Sequence, residues 1–205
     1  MGSVDHRALY SLRRPLPRDR LLPTPQQQIQ ISSCTISGRL FDSLIEEIAR
    51  SSARLEALIF GPADYSASQG MDSKVIEGSL DTYPGDPWHY ARNKIAIAAR
   101  AAGIDAIDGA YPDFTNSEGY RRECIHSHVL GFVGKWAIHP SQINIANQIY
   151  APTKEEVERA RKLDAAYQEA QARGVGAVAI DGKMIDVAII RSLRTTLQKA
   201  DLLGM

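Results

Sequence analysis

The stretch Ala57 to Gly70, ALIFGPADYSASQG, decides the fold. Its first four residues are apolar, the length of a buried strand and too short for a helix. Gly61-Pro62 then breaks the run, and a carboxylate, Asp64, follows among small residues. A charge placed just beyond a buried strand is either a local cap or part of a site, so the surroundings must discriminate.

Upstream, LFDSLIEEIARSS sets Phe41, Leu44, Ile45 and Ile48 at helical spacing. Downstream, DPWHYARNKIAIAARAAG reads as a helix with Asp86 as N-cap, Pro87 in the first turn and Gly103 as terminator. IDAIDGAYPDF reads as a strand and TNSEGYRRECIHSHVLG as a helix. GKWAIHPSQI reads as a further strand and QINIANQIY as a short helix. Helix and strand thus alternate through the middle of the chain, which predicts an α/β fold on a parallel sheet. Each strand ends in polar residues: Asp64, then Asp108 to Asp113, then His139-Pro140-Ser141-Gln142. In parallel α/β folds ligands gather at that end of the strands.

The tail is helical. Thr153 and Glu156 have capping-box spacing, Val157, Ala160, Leu163 and Tyr167 form an apolar stripe, and Gly174 closes the helix. A short apolar segment with a turn at Asp181-Gly182 precedes a last amphipathic helix. Residues 1–38 differ from the rest. They mix Arg, Pro, Gln and Ser without a period, and Pro15, Pro17 and Pro23 prevent a continuous helix.

The 205 residues carry 24 basic and 24 acidic side chains, so no global field favours nucleic acid or an anionic membrane. No apolar run nears the ~20 residues of a membrane span, and the N-terminus has no hydrophobic signal core. Two cysteines, Cys34 and Cys124, suit a reducing compartment, so a cytoplasmic protein is expected, without nucleic-acid or membrane partners. The five histidines form no metal-ligand cluster, and no Ser, Cys or His stands in a nucleophile motif. Trp88 and Trp136 read as core or pocket wall. On spacing alone Asp64 is either a turn acid or a metal ligand. Asp186 is either a helix-dipole partner or a working acid.

Three segments together resemble the citrate lyase β-subunit-like branch of the HpcH/HpaI aldolase family: IFGPADYSASQGM, GKWAIHPSQINIANQIYAPTKEEVERA and AIDGKMIDVAIIRS. With DPWHYARNKIAIAARAAGIDAIDG they are similar to malyl-CoA and β-methylmalyl-CoA lyases. The resemblance runs from about Leu40 to Leu203 and implies part of a TIM (β/α)8 barrel, about its last three strands, with a C-terminal helical extension. It divides the chain into 1–38, a disordered or aberrant arm; 39–150, the partial barrel; and 151–205, the extension reaching a neighbouring subunit's site.

The implied activity is that of a Mg²⁺ (or Mn²⁺) dependent CoA-ester lyase of the malyl-CoA, citramalyl-CoA or citryl-CoA type. Its partners would be an acyl-CoA thioester, a 2-oxo acid and copies of itself, in a trimer or hexamer. By the same resemblance Asp64 is the metal ligand, backbone amides near Ala63 and Asp64 hold the oxo acid carboxylate, and Asp186 is the acid or base acting in trans. Pro140 and Gln142 lie beside CoA. The sequence departs from the family at CTISGRLFDSL, where Ser37 falls on the position of a second metal carboxylate. A complete barrel takes about 200 to 250 residues. Two explanations follow: residues 1–38 are read out of frame from a longer lyase gene, or the protein is naturally short. The alternative activities are a non-catalytic truncated remnant that keeps the CoA-side and oligomer-contact surfaces, and a pyruvate-type class II aldolase without CoA.

Overall fold

A computed structural model describes residues 32–36, 41–77 and 85–205. The chain divides into two compact units, whose described parts are 32–150 and 151–205. Ser37 and the prolines and arginines of the N-terminal stretch lie outside the described residues.

The first unit is built on a parallel sheet in sequential order: β1 (Ser32–Ile36), β2 (Leu55–Phe60), β3 (Asp105–Asp108) and β4 (Gly134–Lys135). Parallel neighbours need a crossover connection, and helices supply it. α1 (Phe41–Arg50) joins β1 to β2. α2 (Pro62–Gln69), α3 (Ser73–Glu77) and α4 (His89–Ala102) lie between β2 and β3, and α5 (Ser117–Val129) joins β3 to β4. α6 (Pro140–Tyr150) closes the unit. The fold class is α/β, as the alternation predicts.

β2 is the hydrophobic centre. Leu58, Ile59 and Phe60 are all but fully buried, each worth about 1.5–3 kcal/mol of transfer free energy. Glu56 is its one exposed residue. Ile45 and Ala49 of α1, Ile95 and Ala98 of α4, and Tyr120 of α5 belong to the same core. Leu44 and Ile48 are half-buried, and the Phe41 side chain lies outside the described residues.

The sheet has one strand more than the three legible in the sequence. That strand, β1, sits inside the stretch read as a non-matching arm and pairs with β2 from Ser32↔Leu55 to Ile36↔Phe60. The other strands are shorter than expected, for local reasons. β3 stops at Asp108 because Gly109 packs against the Pro62 ring and the Phe60 carbonyl, where any Cβ would overlap both. Pro112 then lacks a ladder donor, and the Asp113 carboxylate accepts from Thr115 and Asn116 to form a turn. β4 ends early because the Ile138 amide donates to Gln142 Oε1 at 2.8 Å instead of to a strand. α6 accordingly begins at Pro140, a favoured first helical residue. α4 begins at His89 rather than beside Asp86, whose carboxylate instead receives the Trp88 amide at 2.9 Å. Gly103 ends α4 in the left-handed conformation, φ 73°.

The second unit comprises α7 (Lys154–Ala172), a hairpin of β5 (Val178–Ile180) and β6 (Lys183–Ile185), and α8 (Val187–Leu202). α7 opens with a complete capping box, Thr153 and Glu156 exchanging side-chain and backbone bonds. The hairpin turns through Asp181 and Gly182, both at positive φ, as a two-residue turn requires. Leu163, Tyr167, Ile185 and Ile190 make its core. Among the described residues no helix is long and apolar enough to cross a membrane.

Candidate active site

The turn after β2 is fixed on three sides. The Gly61 amide donates to the Ile36 carbonyl at the end of β1, 3.1 Å away. The Pro62 ring lies against Gly109 at the end of β3. Ser66, fully buried in α2, accepts the indole N–H of Trp88 at 2.8 Å. On this footing Pro62 occupies the first turn of α2 with Ala63 and Asp64 after it, both exposed. The Tyr65 amide is already bonded to the Gly61 carbonyl at 2.9 Å. The Ala63 and Asp64 amides belong to the helix's unpaired first turn and face outward with its positive dipole end.

Asp64 has no hydrogen-bond or ion-pair partner among the described residues. It is a hard, exposed oxygen donor at the carboxyl end of a buried parallel strand. Among the described residues, no three His, Cys, Asp or Glu side chains converge as a ready-made cation cage. A lone carboxylate of this kind can supply one of the one or two that commonly hold Mg²⁺, with water and substrate oxygens completing six positions.

Behind that surface the strand ends carry a buried charge cluster. Arg92 of α4 binds Asp108 (Nε–Oδ1 3.1 Å), Asp86 (2.7 Å) and Glu123 (3.2 Å). Lys135, the last residue of β4, binds Asp108 at 2.8 Å and Glu123 at 2.7 Å. Arg92, Asp108 and Lys135 are sequestered from water, while Glu123 and Asp86 keep a slight exposure. The guanidinium also lies over the Trp88 and Phe60 rings, at 5.3 and 5.8 Å. Burial pushes the Asp108 carboxyl up, but Lys135 and Arg92 outweigh it and hold it below its ordinary value. Burial likewise lowers Lys135, and Asp108 and Glu123 more than reverse it. The nearby Cys124 thiol, buried and free, is pushed up to about 11, chiefly by burial.

These shifts set a pH window. The depressed Asp108 stabilises the fold above its unfolded pKa of about 3.9, and that stability is lost as pH falls through the lower folded value. The raised Lys135 contributes fully below its unfolded pKa of about 10.4, and its share is lost as pH rises through the higher folded value. The raised Cys124 thiol adds a loss that begins above its unfolded pKa of about 8.5, so urea-denaturation stability is expected to plateau between about pH 5 and pH 8 and to fall on both sides. An alkaline limb that stays flat to pH 12 would contradict the assignment.

The β4–α6 corner is held by Gln142, which is buried and has both ends occupied. Its Oε1 takes the Ile138 amide, and its Nε2 donates to the Tyr111 carbonyl at 3.1 Å. Pro140 beside it is exposed. Phe114 and His139 stack at 4.8 Å over the same corner. In the second unit Asp186 is the N-cap of α8, its Oδ1 accepting from Ala188 at 3.0 Å and Ile189 at 3.1 Å. Its Oδ2 has no partner among the described residues, and the residue is half-buried.

The structure thus brings Ala63 and Asp64 together on one turn, places Pro140 and Gln142 at the head of α6, and puts Asp186 in the other unit. Sequence reasoning missed the Arg92 cluster. The available signal was its position: Ala91, Ile95, Ala98 and Ala99 of α4 are buried, as is Trp88 just before it, and Arg92 lies on the same face.

Residues 43–140 match the profile of a family described as HpcH/HpaI aldolase/citrate lyase. The L-malyl-CoA/beta-methylmalyl-CoA lyase of Cereibacter sphaeroides is 40% identical over 169 residues, covering 78% of this chain and 53% of its own length. The citrate lyase subunit beta of Escherichia coli is 38% identical over 159 residues, covering 78% and 50%. The chain spans about half the length of the relatives it matches. A citrate lyase structure from Burkholderia xenovorans shares the fold, with a TM-score of 0.70 at 19% identity over 84% of this chain and 53% of that one. CitE of Mycobacterium tuberculosis, solved with magnesium, acetoacetate and coenzyme A, gives a TM-score of 0.67 at 27% identity, covering 82% and 60%. With these relatives and with that stretch matching the profile, the chain belongs to the HpcH/HpaI aldolase/citrate lyase family.

Proposed function

We infer that the protein is a Mg²⁺-dependent CoA-ester lyase, cleaving or forming a carbon–carbon bond between an acyl-CoA enolate and a 2-oxo acid. The four parallel strands are then an arc of a (β/α)8 barrel, with the ligands at its carboxyl-end mouth. The observation that carries this reading is Asp64: an exposed, unshared carboxylate, among the described residues, on a helix N-terminal turn at the end of a buried strand.

Asp64 would hold Mg²⁺ (or Mn²⁺), and the Ala63 and Asp64 amides would receive the oxo acid carboxylate, as helix N-termini receive anions. When bound, the ion would neutralise charge on the oxo acid oxygens. In the cleavage direction the 3-hydroxyl loses its proton and the C2–C3 bond breaks. Its electron pair passes to the thioester α-carbon, which is then protonated. Asp186, with Oδ2 uncommitted to the cap, would move a proton at the hydroxyl or the α-carbon from a neighbouring subunit, in a trimer or hexamer. Pro140 would border the CoA, and Gln142 would shape that border from beneath. The cytoplasmic setting belongs to the same reading and suits the free Cys124 thiol.

The test is acetyl-CoA release from malyl-CoA, with citramalyl-CoA and citryl-CoA run in parallel to assign the acyl chain. Turnover is expected with Mg²⁺ and its loss with EDTA. Ser37, standing where the family carries a second metal carboxylate, favours one second reading, a non-catalytic protein that retains CoA binding. CoA binding without turnover of any of the three thioesters would select it. Cleavage of a pyruvate aldol without CoA would instead select the class II aldolase.

A further inference from the structure

Trp88 is placed unlike an ordinary core aromatic. Its indole N–H is spent on one buried hydroxyl, Ser66 Oγ, at 2.8 Å. Ser66 stands two residues beyond Asp64 in the same helix. The ring is itself fixed from three directions. Its face lies under the Arg92 guanidinium at 5.3 Å, its edge meets Phe60 of β2 with centroids 6.4 Å apart, and its amide is held by Asp86 at 2.9 Å. Asp86 and Arg92 are themselves joined at 2.7 Å, and Arg92 is anchored to Asp108. A rigid chain therefore runs from the buried charge cluster through Trp88 to α2.

α2 needs such a hold. It has eight residues, its N-cap Gly61 offers no side-chain bond, and it ends in a left-handed glycine, Gly70. A helix so short has little stability of its own. Its buried side chains are Tyr65 and Ser66, and Tyr65 meets Phe60 edge-on at 5.7 Å. The outward face of the same turn carries Ala63 and Asp64.

We propose that Trp88 is a positioning residue that, through its bond to Ser66, fixes the Ala63-Asp64 turn in the geometry that receives the divalent ion and the oxo acid. The inference rests on the lyase reading for its ligands, and on the Trp88–Ser66 contact alone for its mechanics. A loose turn must be ordered at the moment of binding, and that cost appears as weaker affinity.

The test uses the full chain and three variants, Trp88→Phe, Ser66→Ala and the double substitution. Phenylalanine keeps a ring and removes the N–H donor. Amide hydrogen exchange reports the mechanics. Exchange across residues 65–69, where the helix amides are hydrogen-bonded, is expected to accelerate about tenfold or more in each variant, with α5 unaffected. Mn²⁺ titration by electron paramagnetic resonance, with pyruvate present, reports the consequence. Each single variant is expected to bind the Mn²⁺–pyruvate pair about five- to tenfold more weakly, with CoA affinity unchanged and the double variant no worse than either single one.

Unchanged exchange in α2 overturns the proposal, whether or not wild type binds the ion. So do single-variant effects that multiply in the double variant. Accelerated exchange with wild-type Mn²⁺–pyruvate affinity also overturns it, because the turn would then be held without consequence. If wild type binds no Mn²⁺–pyruvate, the lyase reading and the ligand half of the proposal fall together. Accelerated exchange would then leave only the mechanical clamp standing.

Discussion

Lys135→Met is expected to destabilise the first unit by about 3–5 kcal/mol, the cost of leaving a buried carboxylate without its ammonium. Asp108 is fully buried, and Lys135 is one of its two cationic partners. The loss is large against a typical domain stability of about 5–15 kcal/mol. Arg92 still bonds both Asp108 oxygens, at 3.1 and 3.2 Å, but it would then be the one cation shared by Asp86, Asp108 and Glu123. Removing both charges in the double variant Lys135→Met with Asp108→Leu is expected to recover part of the loss, since an ion pair replaced by apolar groups often breaks even. Urea denaturation followed by circular dichroism measures both. A single-variant loss below about 1 kcal/mol would mean that water reaches Asp108 and that the cluster is not the rigid base described.

Asp64→Asn is expected to lower kcat for Mg²⁺-dependent thioester cleavage about a thousandfold, equivalent to roughly 4 kcal/mol of lost charge stabilisation. The substitution keeps size and polarity and removes only the charge. Because the side chain is exposed and unshared among the described residues, stability should fall by no more than the roughly 0.3–1 kcal/mol that a carboxylate contributes at a helix N-terminus. CoA affinity should also hold, since the residues proposed for CoA stand on α6. Loss of turnover together with loss of fold would assign Asp64 a structural part. Activity within about fivefold of wild type, at saturating Mg²⁺, would remove it from metal binding.

The sequence made some of this legible and concealed the rest, for physical reasons. Periodicity and punctuation are local, so α4 with Gly103, the Thr153–Glu156 capping box and the Asp181-Gly182 turn could be read directly. β1 could not, because SSCTI has two apolar residues among five and its pairing comes from β2, 19 or more residues away. The Asp64 turn was conspicuous because a charge interrupts an apolar run. The charge cluster was not. Its members lie up to 49 positions apart, from Asp86 to Lys135, and converge only when the strand ends do. A lysine at the end of a strand and a glutamate within a helix look like ordinary surface residues until their neighbours arrive. Asp186 shows the opposite case. The cap that its position suggests is present, and that role leaves one oxygen over.

Gln142 carries a last consequence. One amide group fastens the backbone beyond β3, at Tyr111, to the backbone beyond β4, at Ile138. The two rims are thereby yoked. A molecule that wedges one of them outward must drag the other along or snap the tether. On the lyase reading proposed above, a change at one rim would be felt at the other, so fit would be judged by both rims together.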